Sequence, residues 1–208
     1  ICHGVPSPAI WRKYLEEVCE RRGIATEEVL GVEFRNKDYS WHRYGMKIRT
    51  KNGTIYRKDK YNDPYLKAFL TNLTLRSSCH NCPAKGSASQ SDIIAGDYWG
   101  VNNHHPQTDD GKGVSCLLVR NTSLLRFFDE RKMELTPTKY EYILASNPAL
   151  EHSALPNPKK AEYLQRLQSE AFFKCTEAYT KTPLSQTLKR TLRPFLSKLK
   201  HLILNPLK

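Results

Sequence analysis

Residues 2–8 are Cys-His-Gly-Val-Pro-Ser-Pro, and a helical pattern of apolar residues follows them. Ser7 is a favourable N-cap and Pro8 suits the first helical position, so a helix is predicted to begin at Pro8. Gly23 marks the predicted end of this helix. The apolar residues predicted to share one face are Ile10, Trp11, Tyr14, Leu15 and Val18.

Strand and turn signals come next. A strand is predicted over 29–34, and two further strands, 46–49 and 55–57, flank Asn52-Gly53. The Asn-Gly pair is typical of a type I′ turn, because both residues tolerate positive φ angles. Asp63-Pro64 predicts the start of another helix. Further along the chain we expect strands at 93–95 and 114–119, the latter buried, and a helix at 123–131.

Because helices and strands alternate, we expect an α/β or α+β fold with one mixed sheet and flanking helices. After Asn147 the character changes: prolines punctuate a linker, and helical patterns cover 159–179 and 184–204. We therefore predict a domain over residues 1–155 and a basic helical tail over 156–208.

The chain has 208 residues and a net charge of +12, which indicates an anionic partner. Residues 181–208 carry seven Lys or Arg and no acid, whereas the remainder is only mildly basic. This distribution argues against a nucleic-acid partner. The amphipathic pattern at 184–204 fits peripheral contact with an anionic membrane, or an ordinary helix docked on its own core or on a partner subunit. No apolar run reaches the length of a membrane span and no signal peptide is visible, so we expect a cytoplasmic protein.

Six cysteines are present, and Cys79 and Cys82 form a Cys-x-x-Cys pair in a Ser- and Gly-rich loop. This spacing suits zinc, an iron–sulfur cluster or a redox disulfide, although a redox disulfide usually sits at a helix start. Cys2, far away in the sequence, would be a third thiolate ligand to the same metal centre and would thereby join two parts of the fold. Two inert thiols are the simplest alternative. Cys116 sits in an apolar strand and is predicted to lie in the core, with a role as a substitute ligand as the alternative. Cys19 and Cys175 fall in helical patterns and are weaker candidates for a ligand.

Four segments occur in a characteristic order. They are Cys-His-Gly-Val-Pro-Ser-Pro at 2–8, Phe-Arg-Asn-Lys at 34–37 with Trp41, Arg-x-Ser-Cys-x-x-Cys at 76–82, and Ser-Asp-Ile-x-x-Gly-Asp-x-Trp-Gly at 91–100. Together they resemble the coenzyme F-420 hydrogenase/dehydrogenase β-subunit family, C-terminal domain, over about residues 1–155. The resemblance implies a flavin- and iron–sulfur-containing oxidoreductase subunit. Many bacterial relatives have a ferredoxin-like segment ahead of this domain and occur near polysaccharide-synthesis functions.

The resemblance also implies site residues. Cys2, Cys79 and Cys82 match cluster-ligating cysteines of a 4Fe–4S centre. The family's fourth ligand lies in a Gly-Thr-Pro-Cys-Gln-like segment upstream, so we expect it before Ile1. A redox partner protein or the ferredoxin-like domain would exchange electrons with this centre.

From the same resemblance we expect the flavin, FAD or FMN, near 96–100. Gly96 and Gly100 allow close approach of the backbone to a flat ligand, Asp97 can accept hydrogen bonds from ribityl or ribose hydroxyls, and Trp99 can pack on a ring system. Trp99 in the core behind a tight turn is the alternative. The two cations that follow the first strand, Arg35 and Lys37, would neutralise cofactor phosphates or an acidic substrate, or would be a solvated pair.

The sequence therefore predicts an electron-transferring oxidoreductase domain. Two alternatives stay open: a non-catalytic module in which the thiols and a histidine hold zinc or the chain docks a partner, and a degenerate family member that has lost the cluster. No Ser/His/Asp arrangement or phosphate-binding loop is present, so we assign no hydrolytic mechanism and no catalytic residue.

Overall fold

The computed structural model describes residues 1–129 and 131–181. The α-helices in these residues are α1 Pro8–Glu20, α2 Pro64–Leu70, α3 Tyr140–Ser146, α4 Lys160–Arg166 and α5 Phe172–Tyr179. The strands are β1 Gly31–Asn36, β2 Gly45–Thr50, β3 Gly53–Asp59, β4 Ile93–Asp97 and β5 Ser115–Val119. None of the helices in this part of the chain is long and apolar enough to cross a membrane.

The fold class is confirmed: helices and strands are mixed. The strands, however, form two antiparallel sheets instead of one mixed sheet, with the orders β1-β2-β3 and β4-β5. Hairpins and meanders give antiparallel neighbours, whereas a parallel pair needs a crossover connection, usually through a helix. Among the strands described here, no such parallel pair occurs.

The two helix starts predicted from Ser-Pro and Asp-Pro are confirmed. The Ser7 hydroxyl accepts a hydrogen bond from the Ile10 N–H at 3.3 Å, and the Asp63 carboxylate accepts one from the Leu66 N–H at 2.7 Å. Each cap satisfies a backbone donor that the helix itself leaves unpaired. α1 then buries Tyr14 completely.

The hairpin around Asn52-Gly53 is confirmed, but its turn is not type I′. Thr50 pairs with Gly53, and the register shifts between Ile48 and Arg49. Gly53 has φ +107°, whereas Asn72 is the one non-glycine residue with positive φ within 1–129 and 131–181. Glycine alone therefore takes the left-handed position, as in a turn followed by a bulge.

Two predictions need correction, one for strand β5 of the second sheet and one for the segment that follows it. β5 is a strand as predicted, but only Cys116 in it is fully buried. The helix expected at 123–131 is instead a 3-10 helix over Thr122–Phe127. Leu125 and Phe127 stay 48% and 68% exposed, so an α-helix here would lack the apolar packing that stabilises short helices.

The larger core joins α1, α2, the three-stranded sheet and the helices α4 and α5. The predicted helical region 159–179 is thus two helices that pack on this core through Tyr163, Leu167 and Phe172. A smaller core lies under β4, β5 and α3. The division at residue 155 remains a prediction, and the helix predicted over 184–204 lies outside the described residues.

Candidate functional site

An arginine and an aspartate from different sheets form the centre of the first cluster. Arg35 of β1 donates to the Asp97 carboxylate at the end of β4. The Arg35 guanidinium also lies 4.8 Å from the ring centre of Tyr44 and 5.6 Å from that of Trp99. The structure therefore brings together three residues that the sequence predicts at a flavin site.

Trp99 continues this cluster toward the interior. Its ring stacks on that of Trp41, with centroids 4.6 Å apart and planes 7° apart. Trp41 is 1% exposed, and its indole N–H has no hydrogen-bond partner in the described part of the chain. A buried donor without a partner is costly, so it marks a position where a polar atom would be favourable.

Lys60 is the member of this cluster that sequence reasoning missed. Its ammonium lies 4.8 Å from the ring centre of Tyr44 and 5.7 Å from that of Trp99. Burial lowers the pKa of Lys60, and the nearby Arg35 charge lowers it further, while Asp59 opposes the shift. Asp97 pairs with Arg35, and Asp59, which acts on Lys60, also pairs with Arg43. Three cations thus face two carboxylates, so the cluster favours an additional negative charge.

The remaining residues predicted at the flavin site have other surroundings. Lys37 donates to the carbonyl of Lys112 at 3.0 Å. Gly100 has φ +79°, and a Cβ there would lie 2.1 Å from the Ser146 hydroxyl, so this position requires glycine for packing. A Cβ on Gly96 would lie 2.9 Å from the Ile1 side chain. Contacts within the chain thus account for both glycines, and their roles at a cofactor remain predictions.

The predicted cysteine site begins where two segments run side by side. Pro6 forms an isolated antiparallel bridge with Leu75, and the Val5 N–H donates to the Cys79 sulfur at 3.3 Å. Cys2 and Cys82 line one cavity of about 260 Å³. The distant thiol and the Cys-x-x-Cys loop are therefore on neighbouring parts of the fold.

Positive groups surround these thiols. The Lys160 ammonium lies 2.9 Å from His80 Nε2, and burial lowers its pKa while the charge of Cys79 acts in the opposite direction. Lys85 donates to the Cys2 carbonyl. All six cysteines are free. Cys116, predicted in the core, is buried, and so are Cys19 and Cys175.

These residues match an iron–sulfur centre in donor type and in surrounding charge. Within residues 1–129 and 131–181, however, no group of three or more His, Cys, Asp and Glu side chains is arranged to hold a metal ion. The assignment of Cys2, Cys79 and Cys82 as ligands therefore stays a prediction.

Comparison with known families supplies the decisive observation. The family model for the C terminus of the coenzyme F420 hydrogenase/dehydrogenase beta subunit matches residues 1–140. The chain belongs to this family. No curated protein and no solved structure matches it.

Membership in the family places the chain among oxidoreductase-related electron-transfer domains of multi-subunit hydrogenases and dehydrogenases. At this coarse level, redox cofactors of the flavin and iron–sulfur type are those that the family suggests. The match includes both clusters described above except Lys160, which lies in α4 beyond residue 140.

The register of the β2–β3 hairpin positions Lys60. Pairing of Gly45 with Asp59 aligns the end of β3 with the start of β2, and the Lys60 N–H then donates to the Tyr44 carbonyl at 2.9 Å. The predicted type I′ turn would instead have paired Gly45 with Lys60, so the observed position of this lysine depends on the register shift between Ile48 and Arg49.

Proposed function

We propose that this chain is an electron-transferring oxidoreductase domain that uses a flavin, FAD or FMN, and a 4Fe–4S cluster, and that exchanges electrons with a redox partner protein or a ferredoxin-like domain. The observation that carries the proposal is the convergence of Arg35, Asp97 and Trp99 in a member of this family.

The cluster around Arg35 suits a flavin in its chemistry. Trp99 and Tyr44 offer aromatic faces, and the cations Arg35 and Lys60 would offset phosphate charge. Asp97 would accept hydrogen bonds from sugar or ribityl hydroxyls. When bound, the flavin supplies two-electron hydride chemistry, and the protein contributes position and electrostatics.

The cysteine site would bind the cluster. Cys2, Cys79 and Cys82 would bind iron as thiolates, and the Val5 N–H already donates to one of these sulfurs. The positive charges of Lys85 and Lys160 would offset the negative charge of thiolates and cluster, which favours the ligating form of the cysteines.

The first test is cofactor content. The whole protein, purified without oxygen, should contain flavin, iron and acid-labile sulfide, seen as a yellow flavin spectrum over a broad iron–sulfur band. Zinc without iron would overturn the cluster assignment and support a zinc-binding module. Flavin without any metal would support a degenerate member that has lost the cluster.

Matched variants separate the two cofactors. Arg35→Gln should lose flavin and keep iron, whereas Arg12→Gln, an exposed arginine on α1, should lose neither. Cys79→Ser should lose iron, whereas Ser78→Ala in the same loop should keep it. Retention of all flavin by Arg35→Gln would contradict the role of this cluster.

A further inference from the structure

A second, unassigned groove of about 500 Å³ lies between the start of α1, residues 74–77 and α4. Lys13, Arg76 and Lys160 supply three positive charges to its wall, and the twelve residues that line it include no carboxylate. Lys13 also donates to the Leu167 carbonyl and Lys160 contacts His80, but neither partner is a carboxylate. Cations without a carboxylate in a concave site favour an anionic occupant.

A buried hydroxyl gives the second, independent sign of a ligand. Thr74 lines the groove and is 1% exposed, yet its hydroxyl has no hydrogen-bond partner within the described residues. Buried polar groups normally have partners, because leaving one unpaired costs free energy. A ligand oxygen in the groove would supply the missing partner.

The start of α1 adds a third favourable element. Ser7, the N-cap of this 13-residue helix, lines the same groove. The N-terminus of a helix carries a partial positive charge and exposes backbone donors, which favours a phosphate or carboxylate.

The rest of the wall is apolar. Ile10, Leu164 and Leu167 line it, and its volume lies within the usual range of small-molecule sites. The groove thus combines a cationic end with an aliphatic surface, which suits a ligand that has one charged group and an apolar body.

We propose that this groove binds a small molecule in which one phosphate or carboxylate group is attached to an apolar body. The site is separate from the aromatic cluster around Arg35 and adjoins the cysteine site, since Lys160 of its wall also contacts His80. Part of its wall belongs to α4, beyond the family match at residues 1–140, so it is a feature that the matched segment does not form alone.

Residues 182–208 of the same chain are a poor occupant on electrostatic grounds. They carry Lys and Arg without any Asp or Glu, so they would bring more positive charge to a wall that already holds three cations. A separate anion relieves that repulsion.

Isothermal titration of the whole protein with hexyl phosphate tests the proposal, with inorganic phosphate and hexanol as partial ligands. Hexyl phosphate should bind saturably at one site and more tightly than either partial ligand. Its affinity should fall as salt is raised. Equal binding of hexanol and hexyl phosphate, or no binding of hexyl phosphate, would overturn the proposal.

The adjacent lysines Lys159 and Lys160 form a matched pair for mutation, since Lys159 is exposed and does not line the groove. Lys160→Gln should weaken hexyl phosphate binding by about tenfold or more, whereas Lys159→Gln should leave it within about twofold. Equal affinities in the two variants would contradict the site.

Thr74→Val keeps the test decisive if Lys160→Gln fails to fold. This substitution removes an unpaired buried hydroxyl at nearly constant volume, so the variant should be at least as stable as the parent. It should nevertheless bind hexyl phosphate several-fold more weakly. Unchanged affinity in a well-folded Thr74→Val protein would show that the hydroxyl does not face a ligand.

Discussion

At the scale of single residues, Asp63 shows how one carboxylate serves several structural roles. It is fully buried, caps α2, and accepts hydrogen bonds from the hydroxyls of Tyr14 at 2.7 Å and Tyr56 at 2.8 Å. Burial raises the pKa of Asp63, and the hydrogen bonds from Leu66, Tyr14 and Tyr56 oppose that shift. The folded state therefore holds this proton more tightly than the unfolded chain does.

The titration of Asp63 makes the free energy of unfolding depend on pH. Above the unfolded pKa of about 4, the unfolded chain has lost a proton that the folded state still binds, so the free energy of unfolding falls as the pH rises toward the folded pKa. Asp63→Asn keeps a good N-cap and removes the titration. The unfolding free energy of the parent minus that of Asp63→Asn should therefore decrease from pH 4 upward.

Urea denaturation of both proteins at a series of pH values measures this difference. Groups other than Asp63 titrate in both proteins, so they cancel in the subtraction. A difference that rises with pH would mean that the hydrogen bonds outweigh burial at Asp63.

Lys60 is expected to lower the stability of the cofactor-free protein and to favour flavin binding. Its ammonium is close to Arg35 in the same aromatic cluster, and both burial and this like charge lower its pKa. Lys60→Met should therefore raise the stability of the cofactor-free protein by up to about 1 kcal/mol and weaken flavin retention. Thermal unfolding and flavin content measure the two effects, and Lys51→Met, on the exposed hairpin turn, is the control.

At the scale of elements, the features that depend on a few neighbouring residues, such as helix starts, were predicted correctly. Ser7-Pro8 and Asp63-Pro64 specify helix starts, because each supplies a cap and a proline with the required φ. Residues Thr122–Phe127 form a 3-10 helix instead of the predicted helix over 123–131. Leu124 and Phe127 have the i, i+3 spacing of a helix face, but Leu125 and Phe127 stay exposed and find no core. Whether an apolar pattern is packed depends on the rest of the fold.

The hairpin gives a prediction for one element. Gly53 has φ +107° and nothing within 4 Å of its missing Cβ, so Gly53→Ala would change the backbone energy without any steric clash. We expect a loss of about 1–3 kcal/mol in the free energy of unfolding. Lys51→Ala in the same turn should change it by less than about 0.5 kcal/mol. Equal stabilities in chemical denaturation would mean that the turn relaxes to accept alanine.

At the scale of the whole molecule, three residues that the sequence predicts at a flavin site lie together, and their role at a flavin stays a prediction. Arg35, Asp97 and Trp99 do meet, although 62 residues separate Arg35 from Asp97. Their meeting depends on how the two sheets pack, and a one-dimensional pattern does not contain that information. Lys60 and the groove lined by Thr74 escaped notice for the same reason, since both arise where distant segments come together.

The two sheets are joined at the Trp41–Trp99 stack. Trp41 lies between β1 and β2, Trp99 follows β4, and their rings are 4.6 Å apart. Trp99→Ala would remove this contact and the aromatic face under Arg35. We expect a loss of about 2–3 kcal/mol, less than for a fully buried tryptophan because Trp99 is only partly buried.

Tryptophan fluorescence can detect the loss of the Trp99 ring through its effect on Trp41. In Trp99→Ala the buried Trp41 gains exposure, so the emission should shift to longer wavelength as stability falls. Phe127→Ala is the control, since Phe127 is 68% exposed and its loss should cost less than about 0.5 kcal/mol. If Trp99→Ala were as stable as this control, the sheets would be joined by other contacts, and the Arg35–Asp97 ion pair would be the next contact to remove.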